Sequence, residues 1–419
     1  MSTLPEPQIL RFTRWLAENR GLQFDATTVE GYDRLWRWSV TELEAFWGAV
    51  WDYFAIESPT PCARVLADAA MPGARWFEGA QLNYAQQVFR HADAAHAAGH
   101  PALVFQNERM RARGELQQIS WPELRRQVAS LAAALRGMGV QRGDRVCAFL
   151  PNTPHAIVAF LATASLGAIW SVCSPDMGPL AVLDRFRQIE PKVLIGVDGY
   201  VYGGAEHDRL PVLRQLLAEL PSVQHAVLLR YRDEGADASA LAAPGRTLHD
   251  FAALTANDVP FEPEWLPFDH PLWVVYSSGT TGLPKPIVHG HGGIVLESLK
   301  MGTLHNNLGA SVETGDRYHW YSSTGWIMWN TQPGALLGGV TVCIYDGNPG
   351  TPDLGTLWRF AADAGATFFG AGAAYYASCM KAGIAPMQVA DLSKLRAIGS
   401  TGSPLASDAY HWIWAHLPQ

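Results

Sequence analysis

Hydrophobic positions change their period along the chain. Leu43, Phe46, Trp47, Val50, Trp51 and Phe54 recur at i, i+3, i+4, i+7, i+8 and i+11, the spacing that gives a helix one apolar face. Ser39-Val-Thr-Glu42 stands just before them and reads as a capping box, in which two side chains satisfy two orphan amides at a helix start. A helix packed by its aromatic face on a larger core is expected there. Met71–Gln87 reads as loop before a short helix.

From about residue 102 the pattern becomes strand, helix, strand. Short apolar and β-branched runs predict strands at 102–105, 118–119, 146–150, 193–197, 226–229, 272–276, 318–321, 340–345, 367–369 and 395–398. Ser120-Trp-Pro-Glu123 opens a helix with Leu124, Val128, Leu131 and Leu135 on one face, closed by Gly137 and Gly139. Further helices are expected over 210–220, 293–305, 331–337, 354–364, 373–382 and 407–417. Such alternation needs crossover connections, so the fold class is α/β: doubly wound, mainly parallel sheets with helices on both faces. Three prolines in Asn257–His270 mark the best internal boundary. The expected units are a helical, Trp-rich cap over 1–95, a first α/β lobe over 96–256 and a second over 271–419.

Ala156–Cys173 raises the question of a membrane, being eighteen residues without a charge, against about 20 for a span. Thr163, Ser165, Gly167 and Ser171 interrupt it and a strand-like VCAFL precedes it. A buried helix running into a strand at 168–172 is therefore expected, and no span.

The chain has 419 residues, 48% hydrophobic and 17% charged, which excludes a disordered polyelectrolyte or a coiled coil. Lys plus Arg is 31 against 39 Asp plus Glu, a net charge of −8, so nothing electrostatic points to nucleic acid or an anionic membrane. Cys62, Cys147, Cys173, Cys343 and Cys379 are scattered with no C-x-x-C pair, as for reduced thiols in a cytoplasmic protein. The first residues carry no continuous apolar export signal.

The chemistry concentrates in Ser277-Ser-Gly-Thr-Thr-Gly-Leu-Pro-Lys285, directly after the strand LWVVY. Glycines let backbone amides turn toward an anion. Ser277, Ser278, Thr280 and Thr281 add hydroxyl donors and Lys285 a positive charge, a set suited to a polyphosphate. A Walker loop is excluded because Pro284 stands where its second glycine belongs, and Gly370-Ala-Gly372 lacks the third glycine of a dinucleotide fingerprint. There is no G-x-S-x-G elbow and no H-E-x-x-H site. His289 and His291 flank a glycine in IVHGHGG, a spacing that invites a metal. With no carboxylate or cysteine close by they read as a loop leading into a helix.

Tyr276–Lys285 resembles, at every position, the phosphate-loop signature of the adenylate-forming superfamily of acyl-CoA synthetases, luciferases and nonribosomal adenylation domains. Gly137–Asp144 with Leu150-Pro-Asn, Leu166–Trp170, Thr324-Gly-Trp-Ile-Met-Trp329 and Gly399-Ser-Thr-Gly-Ser-Pro404 resemble other family segments in the same order. LWRWSVTELEAFWGAVWDYF, MPGARWFEGAQLNYA, PKPIVHGHGGI and LRAIGSTGSPL are most similar to the acetoacetate-activating branch, the first two to its acetyl-CoA-synthetase-type cap. The resemblance implies stacked sheets and an acid–thiol ligase. Acetoacetate would attack the α-phosphate of ATP, with Mg²⁺ assisting, and CoA would then displace AMP.

By motif position it implies that Ser278, Gly279, Thr280, Thr281, Gly282 and Lys285 hold the phosphates, and that Gly402, Ser403 and Pro404 face the adenine. Trp326, Met328 and Gly372 are acyl-pocket candidates; an ordinary glycine and aromatic core is the alternative for these three. The family pattern continues with a Y-G-x-T-E-like segment, a ribose-binding Asp, a hinge and a small C-terminal domain carrying the adenylation lysine. None follows here, and Lys285 does not replace that lysine, so a C-terminally truncated chain with little ligase activity of its own is expected. The last helix, with Trp412 and Trp414, is expected to leave an exposed apolar face. A noncatalytic nucleotide-binding remnant, a ligase for another short acid, and a phosphotransferase or NTPase are the competing functions.

Overall fold

The structure, a computed structural model, describes residues 5–277 and 282–418. Most of its strands close into two large sheets. The seven-stranded one runs Thr247–Asp250, His225–Leu229, Val193–Val197, Arg145–Phe149, Ile169–Cys173, Pro271–Ser277, Lys285–Gly290. Every neighbouring pair in it is parallel except the last. The six-stranded one runs Ala397–Thr401, Phe368–Gly372, Arg317–Trp320, Thr341–Asp346, Leu103–Asn107, Gln117–Ile119, again parallel but for the last pair. Helical crossovers account for both, since a parallel neighbour cannot be reached by a tight turn.

The sheets do not respect the division at 257–270. Leu103–Asn107 and Gln117–Ile119, from the earlier stretch, belong with the later strands, while Pro271–Ser277 and Lys285–Gly290 complete the earlier sheet. Composition marks where the chain turns and not which strands pair. What recruits Pro271–Ser277 is tertiary: Trp273 sits in register with Trp170 of Ile169–Cys173, and both rings are buried.

The uncharged stretch forms the helix Pro154–Ser165, buried along all of its length but His155, followed by the strand Ile169–Cys173. Among the described residues no helix is long and apolar enough to cross a membrane. Instead this helix lies between the sheets. Phe160 touches Trp170 and Trp273 on one side and Trp329 on the other, and the helix just after Trp329, Thr331–Leu336, packs on Arg317–Trp320 and Thr341–Asp346.

The cap corrects one expectation. Ser39 lies inside the helix Val29–Thr41, where its hydroxyl donates to the Trp36 carbonyl at 2.7 Å. The next helix, Leu43–Tyr53, starts at Glu42 with no side-chain cap. A serine that bonds its own turn can sit mid-helix, and the working cap is Thr28, which accepts from the Gly31 amide at 3.1 Å. The aromatic face packs as predicted: Phe46 and Val50 are buried, and Trp51 stacks on Phe77, which stacks on Phe268. The helix expected over 293–305 is α-helical from His291 to Leu299 and π-helical over Lys300–His305. In the terminal helix Ser407–His416, Trp412 is buried beside Trp358, and Trp414 alone of the two is exposed. All five cysteines are unpaired.

Candidate functional site

The strands on either side of the hydroxyl- and glycine-rich segment form a hairpin. Pro271–Ser277 and Lys285–Gly290 pair antiparallel with Ser277 opposite Lys285, Val275 opposite Ile287 and Trp273 opposite His289. Ser278, Gly279, Thr280 and Thr281 lie outside the described residues. Gly282 has φ +117° with nothing within 4 Å of an added Cβ, so backbone conformation and not space calls for glycine. Lys285 is exposed at the mouth of the hairpin. Side chains two apart on a strand share a face, so Lys285, Ile287 and His289 line one side. The hairpin is held from below: the Tyr276 hydroxyl donates to the Arg185 carbonyl at 2.8 Å, the Arg185 guanidinium lies over the Tyr276 ring, and Gln188 Nε2 donates to the Pro284 carbonyl at 2.9 Å.

A cavity of about 300 Å³ opens against this face, walled by Trp170, Trp273, Tyr276, Ser277, Ile287 and His289, and opposite them by Thr324, Gly325, Trp326, Ile327 and Asn330. The second wall is fixed by its own bonds. Thr324 Oγ1 donates to the Leu150 carbonyl at 2.6 Å, and Trp329 Nε1 donates to Asn152 Oδ1 at 3.0 Å. Gly325 is needed for close approach, since a Cβ there would stand 3.1 Å from Met177 Sδ and 3.2 Å from the Ser174 nitrogen.

The glycine turn after Ala397–Thr401 joins this wall. Gly402 has φ +90°, and an added Cβ would lie 3.8 Å from Trp326 Cζ2; Ser403 and Pro404 follow it, exposed. Gly372 pairs in register with Thr401. Trp326, Gly402 and Gly372 thus meet at the carboxyl ends of the parallel strands, where open α/β sheets take their ligands. Met328 is placed apart from them, against Tyr318 and Trp320. Its neighbour Ile327 faces the cavity, and a second, apolar cavity of about 250 Å³ shares Trp273, Ile327 and Asn330 with the first.

His289 and His291 do not converge. His291 is buried at the start of its helix, its Nδ1 accepting from the Tyr84 amide at 3.1 Å, and burial lowers its pKa to about 3. His289 is half-buried, also lowered by burial, and its Nδ1 accepts from Trp273 Nε1 at 2.8 Å. Among the described residues no three His, Cys, Asp or Glu side chains could jointly hold a metal. At Ser322 and Ser323 lies a cavity of about 310 Å³ whose lining includes Asp346. Burial pushes the Asp346 carboxyl up to about 7, partly opposed by the Tyr231 hydroxyl donating to it at 2.8 Å.

Sequence reasoning did not single out Trp170, Trp273, Ile327 or His289 as site residues. The alternation of Lys285, Ile287 and His289 was a usable signal, because it continues the face of the lysine.

Comparisons with known proteins cover most of the chain. The model of AMP-binding enzymes matches residues 89–419, and the model of the acetyl-coenzyme A synthetase N-terminus matches 32–88. The chain is 37% identical over 416 residues to an acetoacetyl-CoA synthetase from Gallus gallus, covering 97% of this chain and 59% of that protein. It is 33% identical over 405 residues to a malonamoyl-CoA synthetase from Penicillium aethiopicum, covering 91% of this chain and 55% of that one. A solved acetoacetyl-CoA synthetase from Streptomyces lividans superposes with a TM-score of 0.90 at 48% identity, over 98% of this chain and 60% of that one. The chain therefore spans less than two thirds of the length of each of these relatives.

Proposed function

The chain belongs to the family of AMP-binding enzymes, and on that premise we propose that it serves an ATP-dependent acid–thiol ligase whose acid is acetoacetate. A carboxylate oxygen attacks the α-phosphorus of ATP, the bond to the bridging oxygen breaks, and pyrophosphate leaves acetoacetyl-AMP. The sulfur of CoA then bonds to the acyl carbon, releases AMP and gives up its proton.

The observation that carries this is the juxtaposition of three elements: the hairpin that leads to Lys285 and the segment bearing Trp326 wall one cavity, and the turn at Gly402 lies against Trp326. In this reading Ser278, Gly279, Thr280, Thr281, Gly282 and Lys285 hold the phosphates, and their task is positioning and charge stabilisation. Gly402, Ser403 and Pro404 face the adenine. Trp326 and Gly372 would border the acyl end, while Met328 packs apart from them on the cluster of Tyr318 and Trp320. Mg²⁺ would accompany ATP as its counter-ion, and no step is assigned to it. The two products named for the relatives, acetoacetyl-CoA and malonamoyl-CoA, share a carbonyl on the third acyl carbon, which favours a 3-oxo acid over a plain short acid. The unpaired cysteines suit a reducing compartment such as the cytoplasm.

The test is exchange of labelled pyrophosphate into ATP by the purified chain. Acetoacetate should raise exchange above the acid-free background, at a low rate. ATP binding without exchange for any acid would leave a noncatalytic nucleotide binder, and ATP hydrolysis with no acid present would favour a phosphotransferase.

A further inference from the structure

His289 was read from the sequence as part of a loop, yet it is the polar side chain set deepest along the hairpin face. The indole N–H of Trp273 can only donate, so the 2.8 Å bond from Nε1 to His289 Nδ1 makes Nδ1 the acceptor. The single proton of the neutral ring then sits on Nε2, and burial keeps the ring neutral by lowering its pKa. Two other polar groups on the cavity wall are already engaged: the Thr324 hydroxyl donates to the Leu150 carbonyl, and Asn330 Nδ2 donates to the Ile327 carbonyl. The buried Nε1–H of Trp170, on the same wall, has no hydrogen-bond partner among the described residues.

We propose that His289 is the specificity-determining residue for the acid, donating from Nε2–H to the carbonyl oxygen on the third carbon of a 3-oxo acid, with Trp273 holding it in that tautomer. The inference rests on the ligase reading. Four residues of extended strand separate His289 from Lys285, about 13 Å, so one face offers a cation toward the phosphates and a neutral donor toward the acyl end. A site built around a hydrogen bond discriminates strongly against an analogue that lacks the partner, whereas a purely apolar pocket does not.

The experiment is calorimetric titration of acetoacetate and of butyrate, which lacks the second carbonyl, into the full chain saturated with α,β-methylene-ATP, a nucleotide that cannot release pyrophosphate. The wild type should prefer acetoacetate by about 10-fold or more. His289→Leu should abolish the preference by weakening acetoacetate while butyrate changes less than about 3-fold. His289→Gln, whose amide places an N–H near the position of Nε2, should keep much of it. Trp273→Phe, which removes the bond that sets the tautomer, should lose part of it and serves if the leucine variant does not fold. A leucine variant that retains the preference, or weakens both acids alike, overturns the role of His289 and leaves the ligase reading intact. A wild-type chain that binds the nucleotide but neither acid overturns both.

Discussion

Gly370→Ala tests whether the glycines around the site are there for ligand or for packing. Trp320, 5% exposed, ends the strand Arg317–Trp320 and lies across the backbones of the next two strands. A Cβ on Gly370 would stand 2.0 Å from Trp320 Cε3 and 2.4 Å from Cδ2, and one on Gly399 would stand 2.4 Å from Cζ3. Carbon atoms rest at about 3.5–4.0 Å, so the ring must move by about 1.5 Å. Moving outward drives it into Phe368 and Tyr318, with which it stacks. The backbone cannot yield either, since the Tyr321 amide donates to the Gly370 carbonyl at 2.8 Å. Overpacking costs about 1–3 kcal/mol, and a rigid indole between paired strands puts this case at about 3 kcal/mol. Urea denaturation followed by tryptophan fluorescence measures it. The companion Gly370→Ala/Trp320→Leu should be more stable than the sum of the single changes predicts, by at least about 1 kcal/mol of coupling. A single variant within about 0.5 kcal/mol of wild type, or strict additivity in the pair, would refute the packing argument.

Two further outcomes are expected. Lys285→Ala should weaken ATP binding about 10-fold or more, since hydrogen bonds to charged groups are worth about 1.5–3 kcal/mol, and should leave the unfolding midpoint unchanged because the side chain is exposed; titration calorimetry giving an ATP affinity within about 2-fold of wild type would sink it. For Asp346 the carboxyl stays protonated in the fold up to about 7, whereas an unfolded aspartate ionises near about 3.9. Stability is therefore unaffected below pH about 4 and is lost as pH rises toward 7, with a ceiling of about 4 kcal/mol for three pH units. Asp346→Asn should gain on the wild type progressively from pH 4.5 to 8 in denaturant titrations, and a pH-independent difference would contradict the shift.

Much of the fold was legible because local signals agreed with the tertiary structure. Ser120 caps its helix as the motif predicts, accepting from the Glu123 amide at 3.3 Å, and the uncharged stretch 156–173 has the polar interruptions of a helix that other protein, not lipid, surrounds. Ser39 shows the limit: the same S-x-x-E spacing also falls at the end of a helix, with Ser39 in its last turn and Glu42 at the break, and nothing local distinguishes the cases. The pairing of Leu103–Asn107 with Thr341–Asp346 was invisible because register across more than two hundred residues has no signature in either segment. At the site, the loop and the turns at Trp326 and Gly402 were visible as motifs. Ile327 and Met328 were not separable, because adjacent residues of one tight turn point into different surroundings, one to a cavity and one to Tyr318 and Trp320.

The exchange of strands between the sheets also has a consequence during synthesis. Leu103–Asn107 leaves the ribosome roughly 230 residues before its partner Thr341–Asp346. At about 5–20 residues per second, that is a delay of about 10–50 s in which a strand of Leu, Val, Phe, Gln and Asn has only Gln117–Ile119 beside it. For that interval the nascent chain carries an open apolar edge of the kind that invites pairing with other chains. The pairing that completes the six-stranded sheet therefore leaves an edge that must stay shielded until translation reaches the partner strand.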